Sequence, residues 1–273
     1  SAMAGMYRLG MLVGPFAGAA VLTSGHTQPV FAFQLAAVLL GGCLLAGLRD
    51  TGGRCTGTRL PIVTTARRER RSLLRLGPAA FALGSLRASR MVILPLWAER
   101  LGMDAASIAL LFGIAAALDV VLSYPSGMAL DRLGRRAMAV PATGLFGAGL
   151  LLLPLASSPT SLWLVAILIG AANGLTNGLV MTIGADISPP DARPQFLSLW
   201  RLLHDAGTAG SPAAIGALTA LAGLSAAAVG IGLVGLAGAV VFARNLPPGR
   251  PALHEEATVT GVAVPRTAPA VPG

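Results

Sequence analysis

Eight predominantly apolar stretches, at 5–24, 29–48, 78–98, 105–128, 137–156, 162–184, 195–221 and 224–243, alternate with segments that carry the Pro, Ser, Asp and Arg. A hydrocarbon core about 30 Å thick needs about 20 apolar residues per helical crossing. The pattern therefore predicts eight membrane-spanning helices, because backbone polar groups in lipid must be satisfied within their own segment or in a closed barrel. Two regions stand outside it. The segment from Arg49 to Gly77 is too polar and too rich in proline and glycine to cross. Its second part, 66–76, reads as a short amphipathic segment lying on the inner leaflet, with a solvated basic linker as the alternative. The tail from Pro247 has no period of 3.6 and is predicted to be disordered.

Composition makes this an integral membrane protein: 54% of residues are hydrophobic and 11% charged, against about a quarter charged in a soluble domain. The net charge of +9, carried by 20 basic residues that are all arginine, raises the question of nucleic acid. Membrane orientation accounts for it instead, and no nucleic-acid partner is expected. Between the second and third stretches, Arg49, Arg54, Arg59, Arg67, Arg68, Arg70, Arg71 and Arg75 face only Asp50 and Glu69, which places that segment in the cytoplasm. Counting alternately puts Arg132, Arg135 and Arg136 inside, leaves the near-neutral segments 24–29, 157–161 and 222–224 outside, and sets both termini in the cytoplasm. One outer turn holds Glu99, Arg100 and Asp104, still of the right sign. Cys43 lies in a span and Cys55 in the basic segment, so no disulfide is expected. No cleavable signal is expected, since the first residues lack a basic n-region and run into a span containing Gly14 and Pro15.

The most specific feature is Gly127-Met-Ala-Leu-Asp131-Arg132-Leu-Gly134-Arg135-Arg136, a charged turn between two apolar stretches. Glycine at both ends of the turn is expected to let two helices approach and reverse, with the charges at the water boundary. This resembles the loop signature of the major facilitator superfamily, Gly-x-x-x-Asp-Arg-x-Gly-Arg-Arg, at every defining position. Tyr7-Arg8-Leu9 followed by Gly14, and Trp200-Arg201-Leu202 followed by Gly207, repeat the same spacing, as two matching fifth-type helices of a two-half transporter would. The resemblance implies an all-α, major-facilitator-like helical bundle whose eight spans are family helices 5 to 12, the first four being absent from a truncated chain. It implies four regions: 1–48 as the last two helices of the N-terminal half, 49–77 as a basic cytoplasmic linker, 78–245 as the C-terminal six-helix half, and 246–273 as a cytoplasmic tail. It also implies that Asp131 holds the start of the first span, near Tyr7 and Arg8, where a carboxylate meets free N–H groups and the positive end of the helix dipole.

Charges inside spans are costly and are functional candidates by default. Arg87 and Arg90 share a face of the third span, and Asp119 lies at the same depth on the fourth, about 13 Å from the inner end at 1.5 Å per residue. An ion pair between them is expected, as a site of substrate or proton coupling or as a fixed structural pair. Asn173 and Asn177, four residues apart on the sixth span, fall on one helix face and either line the same cavity or hold helices together. Arg201 and Asp205, with His204 beside them, form an i, i+4 pair at the cytoplasmic entry of the seventh span. Pro95, Pro125 and Pro212 predict local bends. There is no His-Glu-x-x-His and no Gly-x-Ser-x-Gly, so no enzyme activity, metal or cofactor is expected. The function expected is secondary active transport across a bacterial cytoplasmic membrane, as proton-coupled efflux of drugs or metabolites by a multi-pass protein that is a monomer when full length. The partners are a small-molecule substrate, the proton and the lipid bilayer. The alternatives are transport of organic anions or phosphate esters, and a truncated remnant or scaffold.

Overall fold

The computed structural model describes residues 28–46 and 61–248. The first expected span, the Tyr7-Arg8 copy of the repeat, most of the linker before Pro61 and the tail beyond Pro248 lie outside the described residues, and with them the proposed partner of Asp131. The elements in chain order are α1 (Gln28–Ala46), α2 (Ile62–Arg68), α3 (Arg70–Arg100), α4 (Ala105–Leu133), α5 (Arg135–Leu152), a 3-10 turn (Leu153–Leu155), α6 (Pro159–Leu175), α7 (Leu179–Ile187) and α8 (Arg193–Asn245). The bundle is all-helical, with no strand among the described residues. Among the described residues, five helical stretches are long and apolar enough to cross a membrane: Arg70–Arg100, Ala106–Leu133, Arg135–Leu155, Pro159–Ile187 and Arg193–Asn245.

Local chemistry sets the ends. Asp104 caps α4 by accepting the Ser107 N–H, and hydrogen bonding from the Ser107 side chain, then from its backbone, holds the Asp104 carboxyl below its ordinary range. Ser158 and Ser161 form a reciprocal capping box at α6, with Pro159 opening the helix. Gly134 alone, at φ 92°, separates α4 from α5. Gly127, expected at the other end of that turn, sits instead inside α4, and nothing lies within 4 Å of the position a Cβ would take there. The reversal thus needs one glycine, not two.

Three other expectations change. The amphipathic segment 66–76 divides between α2 and the first turns of α3, which runs unbroken through Pro78 and Pro95. Leu76 and Gly77 are buried, so that stretch belongs to the bundle. The sixth span, 162–184, is broken at 176–178 into α6 and α7, with Gly178 at φ 81°. The last two spans join with no loop: 193–245 is helical except at Gly223, where the two arms fold back. Leu218 of one arm stands 3.1 Å from the Cβ position of Gly230 on the other.

The core is built where α3 packs between the arms of α8. A Cβ at Gly84 would lie 2.0 Å from the His204 carbonyl oxygen, and one at Gly207 would lie 2.1 Å from that of Phe81. These backbones meet because both contact residues lack side chains, the mode of association favoured where lipid removes the hydrophobic drive between helices. Serines complete the crossing. Ser85 Oγ donates to the Gly207 carbonyl at 3.3 Å and Ser211 Oγ to the Ser85 carbonyl at 3.0 Å. Leu83, Leu86, Phe146, Phe196, Trp200 and Phe242 fill the surrounding interior.

Candidate functional site

The α3–α8 crossing brings the polar residues of three elements together. Arg87 lies one turn beyond Gly84 on α3, and Arg201 and His204 lie within two turns before Gly207 on α8. The break between α6 and α7 faces both. Arg87 Nη2 donates to Thr176 Oγ1 at 3.0 Å and to Asn177 Oδ1 at 3.1 Å. Asn177 Nδ2 donates to an Asp119 carboxylate oxygen and, at 2.8 Å, to Ser123 Oγ. Arg90, buried at 8% exposure, stands 3.8 Å from the other Asp119 oxygen. At that distance the pair is Coulombic rather than hydrogen-bonded, and Arg90 Nε is buried without a hydrogen-bond partner among the described residues.

Arg87, Arg90, Asp119 and Asn177 therefore lie together. Asp119 pairs with Arg90, and Asn177 links Asp119 to Arg87. Asn173 does not join them. The helix breaks between the two asparagines, so Asn173 stays buried in the last turn of α6, where its backbone carbonyl accepts from the Thr176 hydroxyl at 2.8 Å and from the Thr176 N–H at 3.1 Å. Thr176 is a site residue the sequence reading missed: a lone threonine beside Asn177 and Gly178 carries no signal until the helix is known to break there.

At the arginine-rich end, Arg135 is the hub of the loop motif. Its Nε donates to Asp186 at 2.7 Å, and its Nη1 donates to the Leu130 carbonyl at 2.9 Å and to Asp131 at 3.1 Å. Asp186, near the C-terminal end of α7, is a second missed residue, whose signal was a carboxylate closing an apolar run. Arg132 and Arg136 make no ion pair among the described residues. Arg68 of α2 pairs with Asp191 ahead of α8, and that hydrogen bond holds the Asp191 carboxyl below its usual range.

Arg201 pairs with Asp205 at 3.4 Å, and His204 Nδ1 lies 3.1 Å from the same carboxylate. They are not at the helix entry. Arg201 is eight residues into α8, about 12 Å along its axis, where it lines a cleft of about 160 Å³ with Arg87, Thr176, Gly178, Val180, Met181 and His204.

The family model of the Major Facilitator Superfamily matches residues 76–271. The chain belongs to that superfamily. The match begins in the first turns of α3 and takes in every residue of the polar site and of the loop motif, so this superfamily member is a multi-pass membrane protein of a transporter family acting on small molecules. No curated protein matches the chain.

Proposed function

We propose that this major facilitator protein is a proton-coupled exporter of drugs or metabolites, that 78–245 forms its C-terminal half, and that Asp119 is the group that takes up and releases the proton. The observation that carries the reading is the position of Asp119, held between the buried cation of Arg90 and the Asn177 amide at the helix break. Ionised, the carboxylate attracts Arg90 and accepts from Asn177. Protonated, it loses its charge, and its Coulombic hold on Arg90 goes with it. Asn177 is one residue from Gly178, so a change at Asp119 reaches the break between α6 and α7. A carboxylate is thereby linked to an interrupted helix, the kind of element through which a proton-coupled change can act.

The loop motif supplies the second moving part. Arg135 fastens α5 to the end of α4 through Asp131 and Leu130, and to α7 through Asp186. A movement of α7 therefore strains the arginine-rich end, which the excess of cations assigns to the cytoplasm. The direction of export rests on the resemblance of the motif and of Gly14-Pro15 with Gly18 to efflux members. The membrane is the cytoplasmic membrane of a bacterium, both termini lie in the cytoplasm, and the protein acts as a monomer.

The test is reconstitution in proteoliposomes with an imposed pH gradient. The reading expects substrate flux that follows the gradient and collapses with an uncoupler. Flux indifferent to the gradient would remove the proton from the mechanism, and an inert protein would favour a remnant or scaffold.

A further inference from the structure

The cleft beside the proton site has its own chemistry, and we infer that it binds the anionic group of the transported substrate, a carboxylate or phosphate on a small apolar body. The inference rests on the transporter reading above and adds the substrate class. Two arginines from different helices enter the cleft, Arg87 from α3 and Arg201 from α8, with His204 beside them. The third wall is the start of α7. Its cap residue is Gly178, no side chain caps it, and the N–H groups of Val180 and Met181 meet no acceptor among the described residues. Backbone donors at such a position, aligned with the positive end of the helix dipole, favour an anion.

This wall is braced by α8. Trp200 Nε1 donates to the Val180 carbonyl at 2.6 Å, and its indole packs where Gly184 leaves room: a Cβ there would lie 2.4 Å from the Trp200 ring. The donors are thus preorganised rather than gathered by the ligand, which lowers the entropic cost of binding. Asp205, one turn from Arg201 on the same helix, is already engaged by Arg201 Nε and His204. An incoming carboxylate or phosphate can take the remaining face of the Arg201 fork, whose planar geometry suits both groups. Val180 and Met181 supply the apolar side of the cleft, and a volume of about 160 Å³ suits an anionic group on a small aromatic body. A lipophilic cation would face two guanidinium groups there.

Binding is the appropriate readout, because it needs neither a gradient nor a proton step. The full chain is placed in phosphatidylcholine nanodiscs and titrated with 2-naphthoate, phenyl phosphate and tetraphenylphosphonium. The inference expects both anions to bind and to compete with each other, and tetraphenylphosphonium not to displace them. Arg201→Gln should weaken both anions at least about tenfold, equivalent to about 1.4 kcal/mol. The Arg201 side chain is 65% exposed, so this variant should fold. Asp191→Asn, outside the cleft and the proton site, should keep anion binding. Because binding is read without a gradient, failure of the proton reading would leave this result untouched. Binding of the cation alone, or anion affinities unchanged in Arg201→Gln and His204→Gln, would overturn the inference. So would displacement of naphthoate by phosphatidylglycerol in the disc, since the cleft would then seat a lipid head group.

Discussion

Asn177 donates to Asp119 from the same amide group whose oxygen accepts from Arg87 at 3.1 Å. The chemistry of the partners fixes the orientation of the amide, because a flip would set an NH2 against a guanidinium and a carbonyl against a carboxylate. One neutral side chain thus joins a cation on α3 to an anion on α4. Asn177 is free to project between them because the helix unwinds at that point.

Removing the link should be costly. Asn177→Ala leaves Asp119 short of a donor and Arg87 short of an acceptor in a partly buried site, which is expected to lower stability by about 1–3 kcal/mol. Thermal unfolding in detergent checks this, with Ser123→Ala as the milder comparison because it removes only one acceptor of Asn177.

Arg90 and Asp119 should show the asymmetry of a buried pair. Asp119→Ala strands a buried guanidinium and should destabilise by about 3 kcal/mol. The double variant Arg90→Met with Asp119→Ala should recover much of that loss. Unfolding midpoints of the four proteins in the cycle measure the coupling directly, and strictly additive effects would mean that the 3.8 Å approach carries no energy.

Glycine is required at the break and at the crossing for different reasons. Gly178→Ala places a side chain at φ 81°, with an expected cost of about 1–2 kcal/mol and a stiffer pivot, read as slower transport at unchanged expression. Gly84→Ala has no space for its Cβ against the His204 carbonyl. It should force α3 from α8 and lower the unfolding temperature more than Gly127→Ala, whose site is open.

The contact between Arg68 and Asp191 should depend on pH in one direction only. Hydrogen bonding from Arg68 depresses the Asp191 carboxyl in the folded protein. A depressed carboxylate stabilises the folded state fully above its unfolded value of about 3.9, and that contribution is lost as pH falls through the lower folded value. Docking of α2 should therefore be constant from about pH 5 upward and loosen below about pH 4. Hydrogen exchange over 62–68 reads this, and Asp191→Asn should abolish the dependence.

Much of this was legible in the chain, for physical reasons. Apolar runs of bilayer length fix spans wherever flanking charges are few, so 105–128 and 137–156 needed only their ends extended to Leu133 and back to Arg135. Intramembrane charges are too costly to be incidental, so Arg87, Arg90 and Asp119 were recognisable before any geometry. The separation of Asn173 from Asn177 was not legible, because helical periodicity assumes an unbroken helix, and the break at 176–178 depends on Gly178 and on polar partners contributed by α3 and α4. The place of Arg201 was equally hidden. Its depth in the bundle follows from where α8 begins and from the Gly84–Gly207 crossing, both tertiary matters.

The central claim is that Asp119 carries the proton, and its most direct test compares two modes of transport in the same proteoliposomes. Wild type and Asp119→Asn are assayed for substrate accumulation driven by a pH gradient and for substrate exchange with substrate on both sides and no gradient. The account predicts that Asp119→Asn loses gradient-driven accumulation and retains exchange, because only the proton step passes through the carboxylate. Normal gradient-driven accumulation in Asp119→Asn would contradict it.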